Sequence, residues 1–408
     1  MIKRVAQKKL IELSRYFPVV TVTGPRQSGK TTLVKMTFPN KDYVNLENPN
    51  IREMIMIDPE GFFQQYPDGA ILDEVQKLPQ LFSYIQTMVD KFKVNGLFIL
   101  TGSNQFEFMQ RIGQSMAGRT AILKLLPFSY QEIYNTSVIP IHKLLFTGFY
   151  PRLHDQHIPI EDFFIAYVNT YIERDVRMIA NVHNLTLFQN FLKVCAARTG
   201  SILNKTAISN EVGVSSKTVE EWLSILEASF LIYRMPPYFK NFNKRIIKSP
   251  KLYFLDVGLA AFLLGIQHAD QLINHPLRGE IFESYVISEL LKYIYNAGKR
   301  SNLYFFRESN QTEVDVLLDT AFSPVPVEIK SSATLNQSQF KNLNLFRKIS
   351  TDFVHAGLVL GTDIERTFND TIIRGYNRVP ELYEILVKDN NFSEKKLARP
   401  EGLEPSTL

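Results

Sequence analysis

The chain has 408 residues, 45% apolar, 12% aromatic and 21% charged, so it is long enough for two to four domains with large cores and is not a disordered polymer. Its single cysteine, Cys195, excludes an intramolecular disulfide and a cysteine-built zinc site, and 7 unclustered histidines give no histidine-built one. A net charge of +5 is compatible with nucleic acid without indicating it, and no apolar run approaches the length of a membrane span.

Met1 to Phe17 reads as an amphipathic helix, because lysines and arginines interrupt its apolar positions; a secretion signal would not be broken in this way, and the chain reads as cytoplasmic. Pro18 to Thr23 is a β-branched run of the kind that forms a buried strand. It leads into Gly24-Pro25-Arg26-Gln27-Ser28-Gly29-Lys30-Thr31, a full match to the phosphate-binding pattern G-x-x-x-x-G-K-[ST], and Thr32 to Met36 then opens a helix. Strand, glycine-bounded loop and helix start are what a nucleoside triphosphate site needs. The glycines let successive N–H groups turn inward on phosphate oxygens. Lys30 is placed to reach the β- and γ-phosphates, Thr31 to hold Mg²⁺, and Thr32 to continue the cradle, so the cofactors expected are ATP and Mg²⁺.

Tyr43 to Leu46 is a further strand, and Ala70-Ile71-Leu72-Asp73-Glu74 has the form of a Walker B strand. Asp73 at its end would face the Mg²⁺ shell, and Glu74 would polarise the attacking water as general base. Gly96 to Asn104 is a third apolar strand that ends in small polar residues. Ser115 to Arg119 offers Arg119 either as a finger for a neighbouring subunit's site, in a homo-oligomer, or as an ordinary surface arginine. With Ala121 to Leu125 as one more strand, residues 1–126 read as an α/β core: a mainly parallel sheet, helices on both faces, phosphates at the strands' carboxyl ends.

From Pro127 to Val182 the pattern is helical and suggests a lid over the nucleotide, with Arg152, Arg174 and Arg177 as phosphate sensors or as salt-bridge partners. Residues 183–275 resemble a winged helix. A short helix ends at Gly213, a second begins behind the N-cap Ser215, and two strands, Phe230 to Met235 and Lys251 to Leu255, enclose a basic stretch with Lys240, Lys244, Arg245 and Lys248. Such a module contacts DNA through Lys217 and the wing, or serves as a spacer; Glu220 and Glu221 on the second helix disfavour phosphate.

Residues 276–387 carry a second signature. Asp315 lies in an alternating strand, Glu328 and Lys330 share a face of the next, and Glu283 stands on a helix before both. Asp315 and Glu328 can bind a divalent metal, with Lys330 orienting water and Glu283 beside them, as in D…E-x-K nucleases. The alternatives are a nuclease-like fold without activity and a solvated hairpin face. Residues 388–408 have no apolar period and read as a disordered tail.

The strings GPRQSGKTTL, AILDEVQ, FILTGSN, SMAGRT, GFYPR, YIERDVR, LYFLDVGLAAFLLG, GEIFESYVISEL, EVDVLL and PVEIKSS together resemble the prokaryotic AAA-superfamily ATPases. These pair a P-loop module with a C-terminal domain of unknown function similar to PD-(D/E)XK nucleases. The resemblance implies a P-loop core, a helical lid, a winged-helix-like module and a restriction-endonuclease-like α/β domain. It implies a polar residue between Walker B and the γ-phosphate, Ser103 or Asn104, with Asn104 preferred. It also leaves open what hydrolysis serves: a DNA-related task, or a nucleotide-dependent switch that binds a protein through a silent nuclease-like domain.

Overall fold

A computed structural model of the protein describes residues 2–103, 116–135, 137–176, 184–238, 249–308, 313–320, 323–350 and 353–392. The N-terminal sheet contains β1 (Val19–Gly24), β2 (Asp42–Asn45), β3 (Ala70–Asp73), β4 (Phe98–Ser103) and β5 (Thr120–Lys124), all parallel, in the order β2-β3-β4-β1-β5. Helices cover both faces, so β1 is buried along its whole length. Its side chains alternate: Val19 joins the core with Phe63, Leu72 and Phe82, while Val20 and Val22 join the opposite one with Leu10, Leu33 and Ile71. The strand order places β4 between β1 and β3. The loop after β1 and the carboxylate at the end of β3 therefore meet across one intervening strand.

Residues 127–182, expected as a helical lid over the nucleotide, are helical in their described part and divide between two cores. Leu126, Tyr130, Leu144, Leu145 and Phe149 pack with the C-terminal helix Arg278–Asn296 through Tyr285, Val286 and Leu290. Tyr150, Phe164, Tyr167 and Ile172 pack instead with Phe188, Phe191, Trp222 and Leu252 of the middle segment. Large aromatic side chains contribute to both cores, Tyr130 and Phe149 to the first, Tyr150, Phe164 and Tyr167 to the second.

The middle segment runs helix Leu185–Ala197, helix Lys205–Val212, helix Ser216–Ala228, then the antiparallel pair β6 (Ile232–Met235) and β7 (Lys251–Phe254). Ser215 caps the third helix by accepting from Thr218 N at 3.0 Å. Lys240, Lys244, Arg245 and Lys248 lie outside the described residues. β7 is buried on both sides: Leu252 and Phe254 belong to the middle core, whereas Tyr253 belongs to the C-terminal one.

The C-terminal sheet contains β8 (Leu303–Arg307), β9 (Glu313–Asp319), β10 (Pro324–Lys330), β11 (Ala356–Leu360), β12 (Glu365–Phe368) and β13 (Thr371–Gly375), in the order β12-β13-β11-β10-β9-β8. β8-β9-β10 is an antiparallel meander, and β10, β11 and β13 run parallel. The outer edge of β8 is paired by the middle segment: Tyr238 N donates to Phe305 O, and Phe305 N to Pro236 O. The last helix, Val379–Phe392, runs past residue 388, where the tail was expected to begin. Among the described residues no helix is long and apolar enough to cross a membrane.

Candidate active site

β1 ends at Gly24 and the helix Lys30–Thr37 begins six residues later, with the phosphate loop between them. The two glycines serve different needs. A Cβ on Gly24 would lie 2.0 Å from the Leu125 carbonyl oxygen, so only hydrogen fits where β5 presses on the loop. At Gly29 there is room, but φ is +87°, the left-handed region that glycine enters without strain. Gln27 (φ 61°) and Glu74 (φ 57°) take the same left-handed conformation without being glycine, and both line the same cleft. Strained backbone of this kind gathers at functional sites.

The cleft encloses about 490 Å³, within the range of small-ligand pockets. On one wall stand Arg26, Gln27, Gly29, Lys30, Thr31, Thr32 and Glu74; on the other, Pro151, Arg152, Gln156, Thr170 and Tyr171. Lys30 Nζ donates to Gly24 O at 3.1 Å and Pro25 O at 2.8 Å, so the ammonium rests on the loop's own carbonyls. Burial pushes its pKa down to about 8, against the pull of Glu74 and Asp73. Among the described residues, Gln27 Oε1 and the hydroxyls of Thr23 and Ser28 are buried without a hydrogen-bond partner. A buried ammonium whose charge burial opposes, beside hydroxyls free to donate, suits an anion.

Asp73 is buried and accepts from Thr31 Oγ1 at 2.9 Å, from Tyr43 OH at 2.6 Å and from Thr101 Oγ1. The pair Thr31–Asp73 joins a hydroxyl and a carboxylate, hard oxygen donors that suit Mg²⁺ beside a phosphate chain. Glu74, next in line, has its pKa raised by burial and accepts from Gln76 Nε2. Asn104, expected between Asp73 and the γ-phosphate, lies outside the described residues, and on β4 it is Thr101 that reaches Asp73. Neither Thr101 nor Tyr43 stood out in the sequence. The parity of their strands was a usable signal, since both occupy positions facing the end of β3.

Arg4 is a further residue that the sequence did not announce. Its buried guanidinium donates to Ser28 O and Leu126 O, both at 2.7 Å, and Nε to Glu132 at 3.0 Å, while the group lies over the Phe128 ring. Glu132 also accepts from Val5 N and Ser129 N, and the same helix start docks through Tyr130 N on Glu289 of the C-terminal helix. The phosphate loop is thereby tied, bond by bond, to the C-terminal module.

Residues 16–134 match the family described as "AAA domain". The match covers the N-terminal domain, which is similar to AAA domains. Residues 140–270 and 278–377 match two domains of unknown function, DUF8612 and DUF4143. An uncharacterized protein of Mycobacterium tuberculosis is 25% identical over 336 residues, 81% of this chain and 74% of its own length. One of Haemophilus influenzae is 21% identical over 327 residues, 72% of this chain and 79% of its own. Among solved structures, a Walker-type ATPase of Pyrococcus abyssi is 13% identical, with a TM-score of 0.43 over 63% of this chain and 94% of that one.

The remaining arginine candidates separate on position. Arg119 sits in front of β5, whose first residue pairs with Val19, so it lies at the amino end of the AAA sheet, opposite the phosphate loop. There it holds Asp90 in a two-toothed pair, at 2.6 and 2.9 Å, which makes it a surface ion pair of its own domain. Arg152 does line the cleft, beside Gln156, which accepts from its Nε. Its placement follows from the segment before it. Asp256 accepts from Phe149 N at 2.8 Å and from Leu259 N at 3.0 Å, and a Cβ on Gly148 (φ +69°) would lie 2.4 Å from Asp256 Oδ1. The motifs GFYPR and LYFLDVG thus form a clamp that sets the far wall of the cleft. The side chains of Arg174 and Arg177 lie outside the described ones.

In the C-terminal module the sequence-selected residues are brought together. Lys330 Nζ lies 2.7 Å from Glu328 and 3.2 Å from Asp315, which also accepts from Ile329 N at 2.8 Å. Glu283 accepts from Tyr253 OH at 2.5 Å and Lys251 Nζ at 3.1 Å. Burial pushes Glu328 up to about 8, with Asp315 adding to it, and Glu283 up to about 7. The expected metal does not fit here. Besides Lys330, which belongs to the expected constellation, a second ammonium, Lys251, stands on Glu283, and among the described residues no three acidic, histidine or cysteine side chains are grouped to hold an ion.

Proposed function

We propose that the chain is a Mg²⁺-dependent ATPase whose nucleotide cycle acts on the two modules that follow the AAA domain. The observation that carries this reading is one cleft lined by Lys30, Thr31 and Glu74 on the AAA side and by Arg152 and Tyr171 on the other. A triphosphate in it would be touched by both walls, so its loss would be felt beyond the AAA domain. The loop amides and Lys30 bind and neutralise the phosphate oxygens. Thr31 and Asp73 would hold Mg²⁺, which supplies charge neutralisation at the β- and γ-oxygens when bound. Glu74 takes the proton from the attacking water, and burial, which raises its pKa, makes its carboxylate a stronger base than one in water. Lys30→Ala should abolish nucleotide binding; Glu74→Gln should leave ATP bound and slow turnover by 10²-fold or about that. Wild-type turnover in Lys30→Ala would remove the site.

For the task served, the DNA reading rests on the order helix, helix, helix, hairpin of residues 185–254, which suits a winged helix. Lys217 is well exposed on its third helix, and Glu220 is held by Arg234 and Lys205, which offsets its repulsion of phosphate. The second reading, a protein-binding switch whose nuclease-like module does no chemistry, is favoured by the ammonium groups seated on Glu283, Asp315 and Glu328. ATPase turnover measured with and without duplex DNA at low salt separates the two, since DNA that leaves turnover unchanged removes the first.

A further inference from the structure

Lys251 opens β7 of the middle segment, yet its side chain is buried in the C-terminal module, only 2% exposed. Its Nζ lies 3.1 Å from Glu283 and 2.6 Å from Glu313, and Glu313 in turn meets Arg307 at 3.1 Å. Strand parity explains the placement. Lys251 and Tyr253 point to one side of β7, where both reach Glu283, while Leu252 and Phe254 point into the middle core. An ammonium taken out of water in this way is stable only with opposite charge around it. Burial opposes its charge, but Glu283, Asp315 and Glu313 outweigh that and hold its pKa above the ordinary lysine value. Lys330 is the corresponding cation for Asp315 and Glu328.

We propose that Lys251 is a built-in counter-cation of the C-terminal carboxylates, seated on Glu283 and Glu313 near Asp315 and supplying the positive charge that a divalent metal would otherwise bring. The cation comes from a different module than the carboxylates, so the cluster is complete only while β7 is docked on the helix Arg278–Asn296 and on β9. The cluster is then an interdomain lock, and the module carries out no metal-dependent cleavage of phosphodiesters. This inference does not depend on nucleotide, and its test is run without it.

The full chain, free of nucleotide, is titrated with Mn²⁺ and followed by the electron-paramagnetic signal of the free ion and by thermal melting. The wild type should show no Mn²⁺ binding that Asp315→Asn removes; such binding would overturn the proposal. Lys251→Met leaves Glu283 buried without its counter-cation, while Glu313 keeps Arg307, and should lower the melting midpoint by roughly 5–10 °C. Mn²⁺ should restore part of that loss through a site that Asp315→Asn abolishes. Should Lys251→Met prove too unstable to titrate, Lys251→Met/Glu283→Gln removes one charge of each sign and should melt above the single variant. A Lys251→Met chain that melts like wild type, or one rescued neither by Mn²⁺ nor by Glu283→Gln, would equally overturn it.

Discussion

Replacing Arg4 by methionine tests the tie between the phosphate loop and the rest of the chain. Methionine keeps most of the apolar stem and removes the guanidinium. The Arg4–Glu132 pair is almost fully buried, its side chains 5% and 1% exposed, so solvent screens it little. Removing one partner of such a pair costs about 3–5 kcal/mol, because the other charge stays buried. Glu132 keeps two main-chain donors, Val5 N at 2.7 Å and Ser129 N at 2.8 Å, which argues for the lower end. Ser28 O and Leu126 O lose their donor as well. With roughly 2–4 °C per kcal/mol for a unit of 150–250 residues, the first calorimetric transition should fall by about 10 °C. The double variant Arg4→Met/Glu132→Gln carries no orphaned charge and should recover at least half of that loss. It should still bind ATP more weakly than wild type, since Ser28 is no longer held. A single variant that melts within about 1 °C of wild type, or a double that melts below it, would refute the reasoning.

Three other outcomes are expected. Lys30 must be protonated to pair with phosphate, and its pKa in the free protein is depressed to about 8, so a bound triphosphate raises it. Binding is then fully supported below about pH 8 and should weaken roughly tenfold per unit above it; a dissociation constant that stays flat to about pH 9.5 would contradict this. Gly148→Ala forces a Cβ onto Asp256 at a left-handed φ, and the displaced Arg152 wall should lower ATPase turnover at saturating ATP more than Lys217→Ala does; equal effects in steady-state assays would dismiss the clamp. Arg119→Ala and Asp90→Ala should behave alike and leave turnover near wild type, as befits an exposed pair. Selective loss of turnover in Arg119→Ala, with a normal Asp90→Ala, would revive the finger.

Some of this protein is written locally, and that part was legible. The phosphate loop is one continuous turn whose ligands are mainly its own amides, so eight consecutive residues state it in full. Asp315, Glu328 and Lys330 were legible for a similar reason: a hairpin brings nearby residues together, and strand parity fixes their faces. Tertiary structure alone decided the rest. Arg4 finds Glu132 across 128 residues, Thr101 finds Asp73 because β4 is inserted between β1 and β3, and Lys251 leaves its own module to neutralise another's carboxylates. The segment 127–182 carries a helical pattern that names no partner, and its two halves pack into different cores. Periodicity tells a residue which way to face along its own element. What it faces depends on sheet order and on which buried charge lacks an opposite, and both are settled only when distant segments compete for the same interior.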